Sequence, residues 1–344
     1  MKNCMRTIVL LLAPILGGAQ ADECARCHGA QSKAHAPTSM ARALERVDDC
    51  QILRANPRLA FEAAGYKYTI TREGNRSTYT VTDGRETFTT PIEWAFGLGA
   101  AGQTYVFERS GLRYESRVSF FKSINGLDLT LGVPHNATPR DIIEDAGREM
   151  TKRDTASCFG CHSLNGVRGT ELTLETLQPG VLCGNCHTGA EIHSAAVRKG
   201  DVKAARLPQL KRATAEEISD LCGKCHRTWA DIASNGPRGL GNVRFQPYRL
   251  ANSRCYDASD ARIGCTACHD PHAEVERAAV AYDAKCNACH STNAKAKAGA
   301  CRVAAANTKG CVTCHMPKYE IPGSHHQFSD HQIRIVRNNE PYPN

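Results

Sequence analysis

Seven times along this 344-residue chain, two cysteines three positions apart are followed at once by a histidine. The motifs are Cys24/Cys27/His28, Cys158/Cys161/His162, Cys183/Cys186/His187, Cys222/Cys225/His226, Cys265/Cys268/His269, Cys286/Cys289/His290 and Cys311/Cys314/His315. Cysteines at that spacing lie on one face of a helical turn. From there both sulfurs would reach the vinyl groups of one porphyrin, and the next residue would turn its imidazole onto the iron. This is the attachment spacing of c-type haem. Cys-x-x-Cys pairs also close structural zinc sites or form redox dithiols. Neither chemistry needs a histidine after every pair, and here all seven pairs have one. The expectation is seven c-type haems and their iron. The fourteen cysteines would be the thioether anchors, with His28, His162, His187, His226, His269, His290 and His315 as proximal ligands.

Seven further histidines match that number of irons: His35, His135, His193, His272, His325, His326 and His331. A lone histidine is ordinarily a solvated or core side chain. In a chain this dense in haem sites these residues become candidate distal ligands. His272 ends the run Cys265-Thr-Ala-Cys-His-Asp-Pro-His, and His193 follows His187 by six residues. Both stand too near the edge of their own haem to fold over it, so each is predicted to reach a neighbouring haem. His325 and His326 are adjacent, so one of the two is expected to serve, with His326 favoured. If one iron then lacks a histidine, Met40 is a substitute that would raise that haem's potential. Met40, Leu44 and Val47 nevertheless share helical spacing and read more naturally as packing. The remaining alternative is an open iron, where an enzyme would work.

The elements that must position these residues fall into unlike stretches. Residues 1–21 read as a secretory signal, with Lys2 and Arg6 ahead of the apolar run Ile8–Leu16 and the cleavage site Ala19-Gln20-Ala21. That run is short for a bilayer span, and no later stretch is apolar enough to cross one. The mature chain is therefore expected to be exported, periplasmic or extracellular, with no integral membrane segment. Residues 22–61 hold the first haem motif and a helix predicted over Thr38–Val47. Residues 62–133 contain no cysteine or histidine and most of the aromatic residues. Alternation predicts strands over Tyr66–Thr71, Ser77–Thr82, Glu86–Thr90, Ile92–Phe96, Thr104–Arg109 and Leu112–Phe120, with turns at Asp83-Gly84 and Ser110-Gly111. No charged or catalytic cluster stands out there, and a scaffold role is expected.

Residues 134–315 carry the other six motifs at irregular intervals. Helices are expected to open at Thr138-Pro139-Arg140-Asp141 and at the capping box Thr214-Ala-Glu-Glu217, and to run over Ala273–Asn287 and Asn293–Ala305. Residues 316–344 form a tail supplying a distal ligand. The expected fold class is a multihaem cytochrome c, mainly short helices and loops around a haem stack, with an inserted antiparallel β subdomain.

Composition agrees with a cofactor-filled interior. Hydrophobic residues make up 41% and aromatic residues 6%, which leaves a thin conventional core. The formal charge is +8. In an exported chain this excess suits haem propionates and the steering of a redox partner rather than nucleic acid. Of the remaining cysteines, Cys4 leaves with the signal. Cys255 and Cys301 are expected either to form a disulfide in an oxidising compartment or to be unrelated buried thiols. Cys50 is unassigned.

With its seven motifs, the Cys268-His-Asp-Pro-His272 signature, the segment Cys311-Val-Thr-Cys-His-Met-Pro-Lys and the run Ser329-Asp-His331-Gln-Ile-Arg, the chain resembles the multihaem c-type cytochromes of bacterial respiration. The resemblance covers about residues 22–50 and 135–337 and leaves out the β segment. It implies bis-histidine irons and electron transfer in or beyond the periplasm, but no substrate. Some relatives reduce nitrite or sulfur compounds or oxidise hydroxylamine. The pentahaem nitrite reductases commonly place lysine in a Cys-x-x-Cys-Lys motif, which this chain lacks.

The leading expectation is an electron carrier rather than an enzyme. Its partners would be other redox proteins: cytochromes, a quinol-oxidising membrane complex or a terminal reductase. A multihaem oxidoreductase with one open haem, acting on a small nitrogen or sulfur compound, is the alternative. A filament-forming extracellular cytochrome, or a homo-oligomer, is the further one.

Overall fold

Residues 23–134, 139–201, 203–290, 309–337 and 339–343 are described by a computed structural model. The signal segment, His135, Cys301 and the helix expected over Asn293–Ala305 lie outside the described residues.

Strands dominate the first half. After α1 (Gly29–His35), β1 (Leu44–Arg46) and α2 (Gln51–Ala55) come β2 (Arg58–Ala63), β3 (Tyr66–Glu73), β4 (Arg76–Thr82) and β5 (Thr87–Pro91). These last four pair in sequence order as an antiparallel meander. A second sheet holds β6 (Trp94–Phe96), β7 (Gln103–Arg109), β8 (Leu112–Phe121), β9 (Gly126–Leu129) and, after α3 (Ile142–Ala146), β10 (Gly147–Glu149). Its order is β1-β6-β7-β8-β10, with β9 also on β8. The long β8 accommodates both partners because β10 pairs with Tyr114–Ser116 and β9 with Val118–Phe121. Strand alternation puts Tyr68, Ile70, Tyr79, Val81, Tyr105 and Phe107 into one buried core with Leu53. Burying a side chain of this size stabilises by about 1.5–3 kcal/mol.

This arrangement corrects the expected fold class. The described residues form a mixed molecule in which antiparallel sheets rival the helices, not a mainly helical and irregular fold around a haem stack with its strands confined to an insert. β1, β2 and β10 come from segments read as helix, loop or haem region. The helix expected over Thr38–Val47 is instead a run of turns leading into β1. Pairing Leu44 with Phe96 and Arg46 with Trp94 buries Leu44 against the second sheet, and this tertiary pairing overrides the local helical spacing.

A charged cluster also lies where none was expected. Tyr68 donates to Asp145 at 2.7 Å, and the Arg117 guanidinium stands 3.2 Å from the same carboxylate, all three being buried. Burial pushes the Asp145 carboxyl pKa up, while the Tyr68 hydroxyl and Arg117 oppose that shift. With Tyr79 donating to the Ala146 carbonyl at 3.0 Å, the cluster pins α3 between the two sheets.

Helices carry most of the second half. They are α4 (Lys152–His162), α5 (Cys183–Cys186), α6 (Ala190–Arg198), α7 (Ala215–His226), α8 (Trp229–Asn235), α9 (Gln246–Ala251), α10 (Cys265–Cys268), α11 (Asp283–His290) and α12 (Cys311–His315). Small antiparallel ribbons join them: β11 (Ser163–Leu164) with β14 (Gln178–Pro179), β12 (Val167–Arg168) with β13 (Glu171–Leu172), and β15 (Lys318–Glu320) with β16 (Gln327–Ser329). Thr214 and Glu217 form the expected capping box of α7. The helix expected over Ala273–Asn287 is shorter. A 3-10 turn at Ala279–Tyr282 precedes α11, whose last four residues before His290 include Cys286 and Cys289. Asp141 caps α3 and accepts from the amides of Ile143 and Glu144, so Pro139 precedes that helix rather than opening it.

Among the described residues no helix is long and apolar enough to cross a membrane.

Candidate cofactor sites

Each motif sits on a helical turn. In motifs one, three and five the histidine amide donates to the carbonyl of the first cysteine, at 2.8, 2.8 and 2.9 Å. The turn brings two thiols and an imidazole to one side of the backbone, as the motif chemistry requires. Motif two ends α4, and that helix is fixed to the second sheet by Phe159. The Phe159 ring meets Trp94 and Phe96 edge-on, with centroids 5.6 and 5.0 Å apart. Motif four ends α7, motif six ends α11, and motifs three, five and seven occupy the single-turn helices α5, α10 and α12.

The two cysteines of a motif are not equivalent, although the spacing alone predicts equal anchors. Cys27 of motif one and Cys314 of motif seven are exposed, whereas their partners Cys24 and Cys311 are half-buried. The difference has a packing cause. Cys24 meets Cys183 and Cys311 meets Cys286, so the first thiol faces a neighbouring motif. Cys27 and Cys314 follow one turn later, past that contact, and open to solvent. Cys186, Cys225, Cys268 and Cys289 are also exposed, although Cys225 Sγ still reaches the Cys161 carbonyl at 3.7 Å, and only motif two keeps its second thiol, Cys161, half-buried.

Three motif histidines face a second imidazole at a nearly constant spacing. His28 and His193 have ring centroids 6.3 Å apart, His187 and His272 are 6.1 Å apart with planes within 1°, and His269 and His331 are 6.2 Å apart. Direct ring stacking would be closer. Two imidazoles bonded through nitrogen to opposite sides of one metal ion have bonds of about 2.0–2.1 Å, and adding about 1.1 Å from nitrogen to ring centre places the centroids about 6.3 Å apart. The spacing therefore fits a pair of axial ligands. His193 and His272 belong to the segments of motifs three and five, yet face His28 and His187.

In five of the candidate histidines Nδ1 is engaged by a hydrogen bond that fixes orientation. Nδ1 of His162 lies 2.8 Å from the Ala43 carbonyl, that of His315 2.9 Å from Arg334 O, and that of His331 3.0 Å from Ser329 O. His193 makes the same kind of bond to Ala205 O. His269 Nδ1 is 3.4 Å from the Tyr282 hydroxyl, which donates onward to the Glu276 carbonyl at 2.7 Å. A bond at Nδ1 leaves Nε2 free for a metal, the usual outer support of a ligating histidine. Burial lowers the pKa of His35, His162, His187, His226, His269 and His326, and brings His331 to about 4. The neutral imidazole that results is the form that binds metal.

The other predicted distal residues separate clearly. His325 and His326 do not share a role: Nε2 of His325 is 2.7 Å from the Asp128 carboxylate on β9 and its ring packs on Phe121, whereas His326 contacts Phe328 edge-on. His35 lies close enough to His272 for their charges to oppose each other. His162, His226, His290 and His315 face no second imidazole at the 6 Å spacing among the described residues. Met40 is half-buried, and its carbonyl accepts from Val181.

Motifs one, three and five fit haem better than zinc. Among the described residues no three His, Cys, Asp or Glu side chains converge as a metal cluster, and a closed zinc site needs four ligands. A porphyrin supplies the equatorial nitrogens itself, so two imidazoles suffice. Large apolar side chains stand exposed beside the motifs and their partners: Ile192 next to His193, Trp229 after His226, Val275 and Val280 after His272, and Ile335 after His331. A planar apolar cofactor would cover such a surface. A cavity of about 590 Å³ beside motif five is lined by Cys268, His269, Val275, Tyr282 and Lys285 among others.

Several residues that position the sites gave no signal in the sequence. Arg249 is fully buried and grips Asp330 through Nε at 2.8 Å and Nη2 at 3.0 Å, next to His331. Arg249 also reaches Gln332, Asn242 and the Pro343 carbonyl and lies over the Tyr342 ring. Asp283 accepts from the amides of Gly310 and Cys311 and so joins α11 to α12.

Comparison with known proteins yields no match: no family model, no curated protein and no solved structure is similar to this chain.

Proposed function

We propose that this chain is an exported electron-transfer protein holding c-type haems at its seven Cys-x-x-Cys-His motifs. The observation that carries the reading is the set of three histidine pairs at 6.1–6.3 Å, each joining a motif histidine to one outside the motifs. Haem iron, when bound, supplies reversible one-electron chemistry. The chain does the rest. Cysteine sulfurs anchor each cofactor at its edge. The imidazole pairs His28/His193, His187/His272 and His269/His331 would hold the iron at motifs one, three and five, with His193 and His331 oriented by carbonyls and His269 by Tyr282. Two fixed axial ligands keep an iron from binding small molecules, which suits a relay and not a catalyst. The sheets hold motif two and the tail in place, and other redox proteins would serve as donor and acceptor.

The test is haem content and low-temperature EPR on the same purified, oxidised protein. Seven covalent haems per chain are expected, with low-spin iron at motifs one, three and five, where the histidine pairs stand. A chain without covalent haem overturns the reading. A high-spin fraction near one iron in seven would instead point to an open site and an oxidoreductase.

A further inference from the structure

Motif four differs from the other six in where its sulfurs lie. Cys225 Sγ is 3.7 Å from the Cys161 carbonyl, and Cys161 Sγ is 3.6 Å from the Lys224 carbonyl, so motifs two and four interlock. On its other side α7 packs against α10, and Cys222 and Cys265 of motifs four and five lie within hydrogen-bonding reach. Cys186 of motif three lies close to both Cys222 and Cys225. Motifs three and five also touch directly, because His272 of the motif-five segment faces His187 at 6.1 Å. Cys24 meets Cys183, and His193 of the motif-three segment faces His28. Cys268 is near Cys286, and Cys286 meets Cys311 across the helix pair that Asp283 ties together.

From these juxtapositions, and resting on the haem reading above, we infer that the seven sites form a branched relay in which motifs three, four and five meet and motif two is a spur from four. Motif one joins this group at three, and motifs six and seven continue from five. Motifs one, two and seven are then the three termini. An electron entering at motif two reaches either of the other termini only through motif four. The spur ends on the β sheets, because Phe159 of α4 is clamped by Trp94 and Phe96, and His162 packs edge-on to Phe96 at 5.2 Å.

Iron anomalous scattering from crystals of the haem-loaded, unaltered protein tests this order directly. The iron at motif four should have those of motifs two, three and five as its three nearest. Seven irons in an unbranched string, or motif two nearest to any site but four, overturn the inference while leaving the haem reading intact. Absence of iron from the motifs defeats both. A redox titration gives an independent readout, since reducing one site changes the charge felt by those close to it. Cys222→Ala/Cys225→Ala should remove one haem and move the midpoint potentials of three others. Cys158→Ala/Cys161→Ala should remove one haem and move one. Equal numbers of displaced potentials in the two variants would contradict the branch.

Discussion

Replacing Arg249 by methionine should release the C-terminal tail and with it His331. Arg249 and Asp330 are both fully buried, and the guanidinium makes two parallel bonds to the carboxylate. Removing one partner of such a pair costs about 3–5 kcal/mol, because the other charge is left buried. Asp330 would still keep Arg334, whose Nη1 is 2.5 Å away, so the lower end of that range, about 3 kcal/mol, applies. The loss falls on the docking of the tail and not on the sheets. Of Arg249's side-chain partners, Asp330, Gln332, Pro343 and Tyr342 belong to the tail. At about 1.4 kcal/mol per tenfold, the docking equilibrium drops by about 100-fold.

Amide hydrogen exchange read by mass spectrometry should therefore accelerate by about 100-fold over residues 318–334, with the sheet strands unchanged. EPR of the loaded variant should show one newly high-spin iron, since His331 no longer holds its place 6.2 Å from His269. Lysine at 249 keeps the charge but not the two-pronged geometry, and should fall between wild type and methionine. Tail exchange within a few-fold of wild type, together with an unchanged spin state, would refute the assignment of Arg249 as the residue that positions His331.

Other perturbations separate neighbouring roles. His325→Ala should leave the EPR spin state unchanged and cost about 1 kcal/mol in urea unfolding through loss of the partly exposed Asp128 pair. Gly180→Ala should destabilise by more than about 2 kcal/mol in urea unfolding. Gly180 has φ +88°, a left-handed geometry that alone costs about 1–2 kcal/mol for an L-residue, and a Cβ there would collide with the Ala41 carbonyl. Cys50 is fully buried and donates to Gln103 at 3.2 Å, and burial raises its thiol pKa from 9.0 to about 11. The folded thiol holds its proton longer than the unfolded one, so this contribution is present below pH 9 and is lost as pH rises to about 11. On the order of 3 kcal/mol is involved. Cys50→Ala should flatten the fall in urea midpoint over that window, and a parallel fall in both proteins would count against it.

The local chemistry of this chain is legible in the sequence because it is set by spacings of two to six residues. The motif turns follow from Cys-x-x-Cys-His, and the cross-motif reach of His193 and His272 follows from their being too near their own motif to turn back. What cannot be read locally is decided by partners far along the chain. Cys24 and Cys27 look alike until Cys183 covers the first and leaves the second exposed, and Cys286 divides Cys311 from Cys314 in the same way. His325 and His326 are interchangeable until Asp128, 197 residues away, engages one of them. Arg249 and Asp330 stand 81 residues apart and read as two ordinary surface charges. Asp145 looks like part of an exposed acidic turn until Tyr68 and Arg117 close over it. Leu44 has the spacing of a helix but finds its burial in a strand. At Leu44, tertiary pairing overrode local propensity.

The unequal cores of the two halves explain why one polypeptide needs both. The sheets bury tyrosines and phenylalanines that keep a fold without help. The motif segments have a smaller core, with Ile218, Ile232, Val243, Tyr248 and Leu250 buried, and they leave Ile192, Trp229, Val280 and Ile335 in solvent. Covering apolar surface of that kind would stabilise by about 25 cal/mol per Å². The α4 helix bridges the two regimes: its Phe159 belongs to the sheet core, and three residues later His162 of motif two is oriented by the Ala43 carbonyl.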